Sequence, residues 1–407
     1  MTGAAPVDTL GELTPQHSSS ARAALTVFLL SGMLMSLLGT VLPAWEYHLR
    51  GDPIEIGHYF LAMAAGIICS ARIGEWILRR RPVRFLVVFG SGLASAGLVE
   101  LAVASPPVDW GWRALGVFLI GTAAGILNSA AFRSISSIYE RDPAATVNMA
   151  GVMFGLGCFG TALLVAGIFY VYTVTSLFLL LALFPAFAVP LYRRARFVPP
   201  VAYPLERSPR EIWTEVRSPG AVMFTLLLFF QFGNEWSLAG WLTIYLVQTV
   251  GASPDNALLM LAGFWASLLL GRVAAQMLLK RVSHARLLFA SAAAALLGCL
   301  IMEFTNNLFG AGVAIFLMGG GYSVIYPLVV EKIGHRFPHY HPGFYNGIFS
   351  IGLIGGLIAP GILGLLTHWY GIRAVMAVPT LGTITVFVLI VLLWIETKMT
   401  TVAVRRP

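Results

Sequence analysis

Glu235 is the residue whose presence most needs a chemical reason. It lies halfway along an apolar run, 220–249, with about fifteen residues on either side of it. An ionisable group at the centre of a membrane costs roughly 2.5–3.5 kcal/mol to insert, which marks it as functional by default. Burial favours the neutral acid over the carboxylate, and that suits a group which takes up and releases a proton. Gln231, Asn234 and Glu235 stand at i, i+3 and i+4, so they share one helix face. Two amides and a carboxyl on one face suit a solute with several hydroxyls better than a hydrocarbon. Trp236 and Trp241 on the same helix and Trp265 in the next apolar run would add a flat aromatic wall beside those groups.

The elements that must position these residues are membrane-spanning helices. The chain is 58% hydrophobic and 11% charged, against about 25% charge in a soluble domain. Apolar runs of about twenty residues, each able to cross about 30 Å of hydrocarbon, recur from Ala24 to Ile395. They predict spans at 24–46, 55–79, 84–105, 112–137, 145–170 and 173–192, then at 220–249, 256–279, 285–304, 309–333, 343–367 and 373–395. The runs are continuous rather than alternating over about ten residues, which argues against a strand-built barrel.

Charge placement gives the topology. Of the 26 Lys and Arg, 20 fall in the segments on the side of the two termini, including Arg79–Arg81, Arg141, Arg207, Arg210, Lys398, Arg405 and Arg406. Only Arg50, Arg113 and Arg373 fall in the opposite loops. The positive-inside rule then puts both termini in the cytoplasm. The net charge of +8 is therefore a topology signal and not a footprint for nucleic acid. Cys69, Cys158 and Cys299 all fall within spans and far apart, so they are expected to pack rather than form disulfides. The first twenty or so residues lack a leader pattern, and the first span is expected to direct insertion. Absence of an Asn-x-Ser/Thr sequon fits a bacterial inner membrane.

The spans repeat at an offset near 200 residues. Gly32 and Gly39 correspond to Gly233 and Gly240, Ala71-Arg72-Ile73 to Gly271-Arg272-Val273, and Phe118 to Gly121 with Phe316 to Gly319. Glycine-rich stretches Gly151 to Gly160 and Gly347 to Gly356 occupy the fifth and eleventh spans. The predicted organisation is a cytoplasmic tail at 1–23, a six-helix bundle at 24–192, a linker at 193–219, a second bundle at 220–395 and a tail at 396–407. Small residues at such positions let helices approach closely and slide. Asn128 and Tyr326 take pseudo-equivalent places in the fourth and tenth spans, so both are expected to face a central cavity.

At this point the chain resembles the major facilitator superfamily. Gly74-Glu75 followed by Arg79-Arg80-Arg81 and Arg84 resembles the family's loop after the second span, although the acid sits beside the glycine instead of several residues on. Gln231 to Trp241, Gly271-Arg272, Tyr326-Pro327 and Gly125 to Asn128 are most similar to the fucose permease-like sugar and proton symporter branch. The resemblance implies twelve transmembrane helices in two pseudo-symmetric bundles, with substrate held at the midplane between them.

Arg72 and Glu75 are spaced to pair along one helix. Arg133 and Glu331 align across the repeat, and with Arg272 they are gate candidates at the cytoplasmic ends of the spans. His335, His339 and His341 are too loosely spaced to predict a metal site. His-Glu-x-x-His, Gly-x-Ser-x-Gly and Gly-x4-Gly-Lys are all missing, so enzyme chemistry and direct ATP drive are not expected. The expectation is a monomeric transporter without cofactor that couples a small polar solute, a monosaccharide, to protons. Here Glu235 carries the proton or binds a solute hydroxyl, while Gln231, Asn234, Asn128, Tyr326, Trp241 and Trp265 hold the solute. The alternative is proton-coupled efflux of amphipathic drugs or lipids: a clustered polar face on the seventh span favours the sugar, and a cavity dominated by aromatics and methionine, with Glu235 alone, would favour efflux.

Overall fold

The computed structural model describes residues 15–49, 52–105, 108–135, 143–197, 214, 217–337 and 347–404. Most of the predicted linker, the start of the N-terminal tail, Arg50, Arg141, Arg207, Arg210, His339, His341, Arg405 and Arg406 lie outside these residues. The described residues are helices joined by short connections. The first span is split into α1 (Pro15–Met35) and α2 (Leu37–Leu49). Then come α3 (Pro53–Leu78), α4 (Val83–Val103), α5 (Trp110–Ser134), α6 (Pro143–Ile168) and α7 (Val174–Arg194). The second half holds α8 (Pro219–Tyr245), α9 (Pro254–Leu278), α10 (His284–Phe304), α11 (Leu308–Arg336), α12 (Gly347–Tyr370) and α13 (Ala374–Val404). A π-helical turn, Leu246–Val250, extends α8 and ends at Gly251, whose φ of 71° suits a residue without a Cβ.

Local chemistry sets the helix ends. Asp52, Asp109 and Asn307 each accept a hydrogen bond from a backbone N–H in the first turn of α3, α5 and α11, at 2.8–3.0 Å. Proline opens α3, α8 and α9, where its missing N–H costs nothing. The last helix runs on to Val404, through residues that the sequence assigns to a tail.

The break in the first span has a visible cause. Ser36 Oγ donates to the Met33 carbonyl at 3.2 Å and Thr40 Oγ1 to the Leu37 carbonyl at 2.7 Å, competing with the helical ladder. Pro43 lies inside α2 and has no N–H to offer the Gly39 carbonyl. That carbonyl instead accepts from Thr243 Oγ1 of α8 at 3.0 Å.

The helices form two bundles related by a shift of six spans. In the first, α3 packs on α5, α4 on α5 and α7, and α1 on α6; in the second, α9 packs on α11, α10 on α11 and α13, and α8 on α12. The bundles meet through α3 with α12, α6 with α9, and α2 with α8. Among the described residues, eleven helices are long and apolar enough to cross a membrane by length and composition. The 27-residue α8 is not among them, and its polar cluster of Gln231, Asn234 and Glu235 is the reason. Arg113, which the sequence puts in an outer loop, is 3% exposed within α5. Its guanidinium donates to Tyr59 Oη at 2.7 Å and to Glu55 at 2.9 Å, so this cation is neutralised inside the first bundle.

Candidate functional site

A cavity of about 190 Å³ lies between the bundles, walled by α1, α2, α3, α5 and α6 on one side and by α8, α9, α11 and α12 on the other. Among the described residues, five polar side chains line it: Ser31, Asn128, Glu235, Arg272 and Tyr326. The rest of the wall is apolar, and it includes Phe28, Phe60, Phe132, Phe154, Phe232, Trp236 and Phe349, with Met35 and Met63. Phe154 and Trp236 come from opposite bundles and meet edge to face, with ring centroids 6.0 Å apart. Tyr326 packs its ring against Phe232 at 5.0 Å.

Toward the loops near residues 52 and 371 the cavity is closed by small residues. A Cβ on Gly39 of α2 would collide with the Ala239 carbonyl of α8, and Gly57 of α3 lies against Gly361 and Gly364 of α12. His368 Nδ1 and Asp52 Oδ1 stand 3.9 Å apart across the same junction. We call this the loop face and the opposite one the terminal face. On the terminal side of the cavity, Arg272 of α9 lies on Gly151 of α6, where any side chain would strike the guanidinium.

The cavity face of α8 is turned from the one the sequence suggests. Phe232, Glu235, Trp236, Ala239 and Gly240 line the cavity, which is the i, i+3, i+4, i+7, i+8 pattern of one helix stripe. Gln231 and Asn234 point into the second bundle, both about fully buried. Gln231 Nε2 donates to the Tyr322 carbonyl at 3.4 Å, and Asn234 Nδ2 donates to Thr383 Oγ1 at 3.3 Å. Thr383 is joined in turn to Tyr322 Oη at 2.7 Å, and Cys299 Sγ lies 3.4 Å from that hydroxyl. Glu235 sits on the edge of both stripes and alone of the three reaches the cavity.

Trp241 is fully buried beneath the cavity, where its Nε1 donates to the Pro360 carbonyl at 2.8 Å and its ring stacks on Phe60. Trp265 is also buried, behind Trp236, with ring centroids 6.1 Å apart. Asn128 and Tyr326 do line the cavity, from opposite bundles. Arg272 reaches further in than a gate at the interface would, because it is only 8% exposed and lines the cavity itself. Arg72 and Glu75 are exposed at the end of α3, and no hydrogen bond or ion pair joins them. Arg133 is half-buried, while Glu331 lies beside His284 at 3.3 Å and His335 at 3.9 Å, on its own bundle.

Sequence reasoning placed Trp236 beside the polar groups but missed the rest of the apolar lining, above all Phe232, Phe154, Phe60 and Phe132. Their only early signal was position: Phe232 and Trp236 flank Glu235 at the spacing that shares its stripe. An aromatic residue in an apolar span carries no mark that separates a cavity wall from a lipid face.

Comparison with known proteins decides the family. The model of the Major Facilitator Superfamily matches residues 12–160, 144–353 and 224–406. The chain belongs to the major facilitator superfamily. It is therefore a multi-pass membrane transporter and not an enzyme. A Protein TsgA homolog of Yersinia enterocolitica is 22% identical over 385 residues, covering 91% of this chain and 94% of that one. Its counterpart in Buchnera aphidicola is 21% identical over the same shares. Among solved structures, a variant of the E. coli fucose:proton symporter FucP superposes with a TM-score of 0.62 at 17% identity, covering 93% of this chain and 99% of that one. The nucleoside transporter NupG, also a variant, superposes with a TM-score of 0.71 at 12% identity, covering 92% and 99%. At these identities the two structures speak for the fold alone.

Proposed function

We propose that this transporter moves a small hydroxylated solute, a monosaccharide, by alternating access coupled to protons. The observation that carries the reading is Glu235, the one acidic side chain among the described residues that line the central cavity. A carboxyl there faces both the solute and, after the bundles rock, either side of the membrane in turn. Asn128 and Tyr326 offer hydrogen bonds to hydroxyls, and Trp236 offers a flat face for a sugar ring. Likeness in fold to a fucose:proton symporter supports the same direction. The cavity volume of about 190 Å³ also falls below the roughly 300–1,000 Å³ of pockets for drug-sized ligands.

A second reading, efflux of amphipathic compounds, is favoured by two observations: among the described residues eight aromatic side chains and two methionines line the cavity, and Gln231 and Asn234 turn away from it, leaving Glu235 alone of the α8 polar cluster. Under either reading the bundles are 24–192 and 220–395, joined by 193–219. Both termini lie in the cytoplasm of a bacterial cell, the unit is a monomer, and Arg72, Glu75, Arg133 and Glu331 serve the closing of the terminal face.

Uptake of radiolabelled fucose and glucose into proteoliposomes under an imposed pH gradient tests the proposal, with wild type beside Glu235→Gln. Accumulation that vanishes in the variant while exchange survives places the proton on Glu235. Unchanged accumulation moves the proton site elsewhere. If folded wild-type protein takes up no sugar yet exports amphipathic dyes, the second reading replaces the first.

A further inference from the structure

We infer that Arg272 is a carboxylate subsite of the central cavity, and that the solute is a sugar acid rather than a neutral sugar. The inference rests on the sugar reading above and narrows it. Arg272 is 8% exposed and lines the cavity. Its Nε is buried without a hydrogen-bond partner, and no described residue within bonding distance accepts from the rest of the guanidinium. An arginine keeps its charge under all ordinary conditions and brings five donors in a planar fork. Buried charges are ordinarily paired or hydrogen-bonded, so a guanidinium left open toward a solute cavity calls for a partner that arrives with the solute.

The surroundings are built to hold that fork. Gly151 of the opposite bundle leaves the room it occupies, since a Cβ there would strike Nη1. The titratable groups near enough to act on its charge are Glu235, Tyr326 and Cys158. None of them forms an ion pair with it. A carboxylate fits a guanidinium with two parallel hydrogen bonds, a geometry that a neutral hydroxyl cannot match. Asn128, which makes no hydrogen bond to a described residue, is left for the solute's hydroxyls, and the Trp236 face for its ring.

Charge balance follows from these residues. In the empty cavity the Glu235 carboxylate offsets Arg272. When the anion binds Arg272, Glu235 takes up one proton and becomes neutral, so one monoanion and one proton cross together without net charge. On release both leave, and Glu235 again offsets Arg272.

The test is equilibrium binding to purified full-length protein in nanodiscs, followed by tryptophan fluorescence. Glucuronate and galacturonate are compared with glucose and galactose. Wild type is expected to prefer each acid over its neutral parent. R272Q should weaken acid binding on the order of thirtyfold or more and abolish that preference, with melting unchanged. R272K keeps the charge but not the fork, so it should recover only part of the affinity. If R272Q does not fold, G151A asks the same question, because it displaces the guanidinium without removing it and should weaken acid binding selectively. Equal binding of acid and neutral sugar by wild type overturns the subsite and leaves the sugar reading standing. A preference for the acid that survives in R272Q also overturns it. Failure of folded wild type to bind either class sinks both.

Discussion

At the scale of single residues, two asparagines that look alike in sequence divide by what they touch. Asn128 lies on the cavity wall without a bond to a described residue, whereas Asn234 bonds Thr383 inside the second bundle. Asn128→Ala should therefore raise the KM for solute about threefold to tenfold, the worth of one hydrogen bond, and leave thermal stability unchanged. Asn234→Ala should leave KM alone and cost about 1–3 kcal/mol of stability, since Thr383 loses a partner in a buried network. Transport kinetics and thermal unfolding of the two variants, measured side by side, check the split. An unchanged KM for Asn128→Ala would remove it from the binding site. Glu235 illustrates why only part of this was legible. The cost of a mid-span carboxyl is written in the sequence, but the direction of its neighbours is not. Gln231 and Asn234 fall within one arc with Glu235, and the cavity begins one residue round that arc, a rotation set by packing against α12 and α13.

At the scale of elements, the spans were readable because hydrophobic length is a strong and local signal. The eleven apolar helices found among the described residues follow from it. The split of the first span was not readable, because Ser36 and Thr40 break the helix only through bonds to their own backbone. The burial of Arg113 was hidden for another reason: its partners, Glu55 and Tyr59, lie on a different helix. The repeat glycines were visible, yet their duties differ. Gly32 packs within the first bundle against Phe154, while Gly39 and Gly240 meet across the bundles. Gly39→Ala thus inserts a methyl between α2 and α8. Overpacking of this kind costs about 1–3 kcal/mol, which applied to the form closed at the loop face shifts the balance toward the open form by about 5- to 150-fold. Spin-label distances between α2 and α8 near that face should lengthen in the variant. Unaltered distances would mean that this approach is not what closes the face. Gly32→Ala, by contrast, should destabilise the first bundle without favouring either form.

At the scale of the whole molecule, the junctions between bundles differ from the packing inside them. Within the first bundle a buried arginine is neutralised by a carboxylate and hydrogen-bonded to a phenol. Between the bundles, at the loop face, the bonds among the described residues are few: Thr243 to the Gly39 carbonyl, Tyr170 Oη to Asp255 at 3.3 Å, Asp52 beside His368, and glycines in contact. Such a junction can part without leaving unpaired charge in hydrocarbon, because its polar groups sit near the helix ends where water replaces the lost partners. The bundles can therefore rock as bodies, each keeping its internal bonds. Asp52 and His368 mark the place to test this. With both replaced by cysteine, a short reducible cross-linker should hold the loop face shut and stop transport, and reduction should restore it. Solute binding measured from the terminal face should persist at wild-type affinity in the cross-linked protein, since the cavity lies beyond the link. Continued transport with the cross-link formed would mean that solute reaches the cavity without parting α3 from α12, and the rocking of two rigid bundles would have to be abandoned for a local gate.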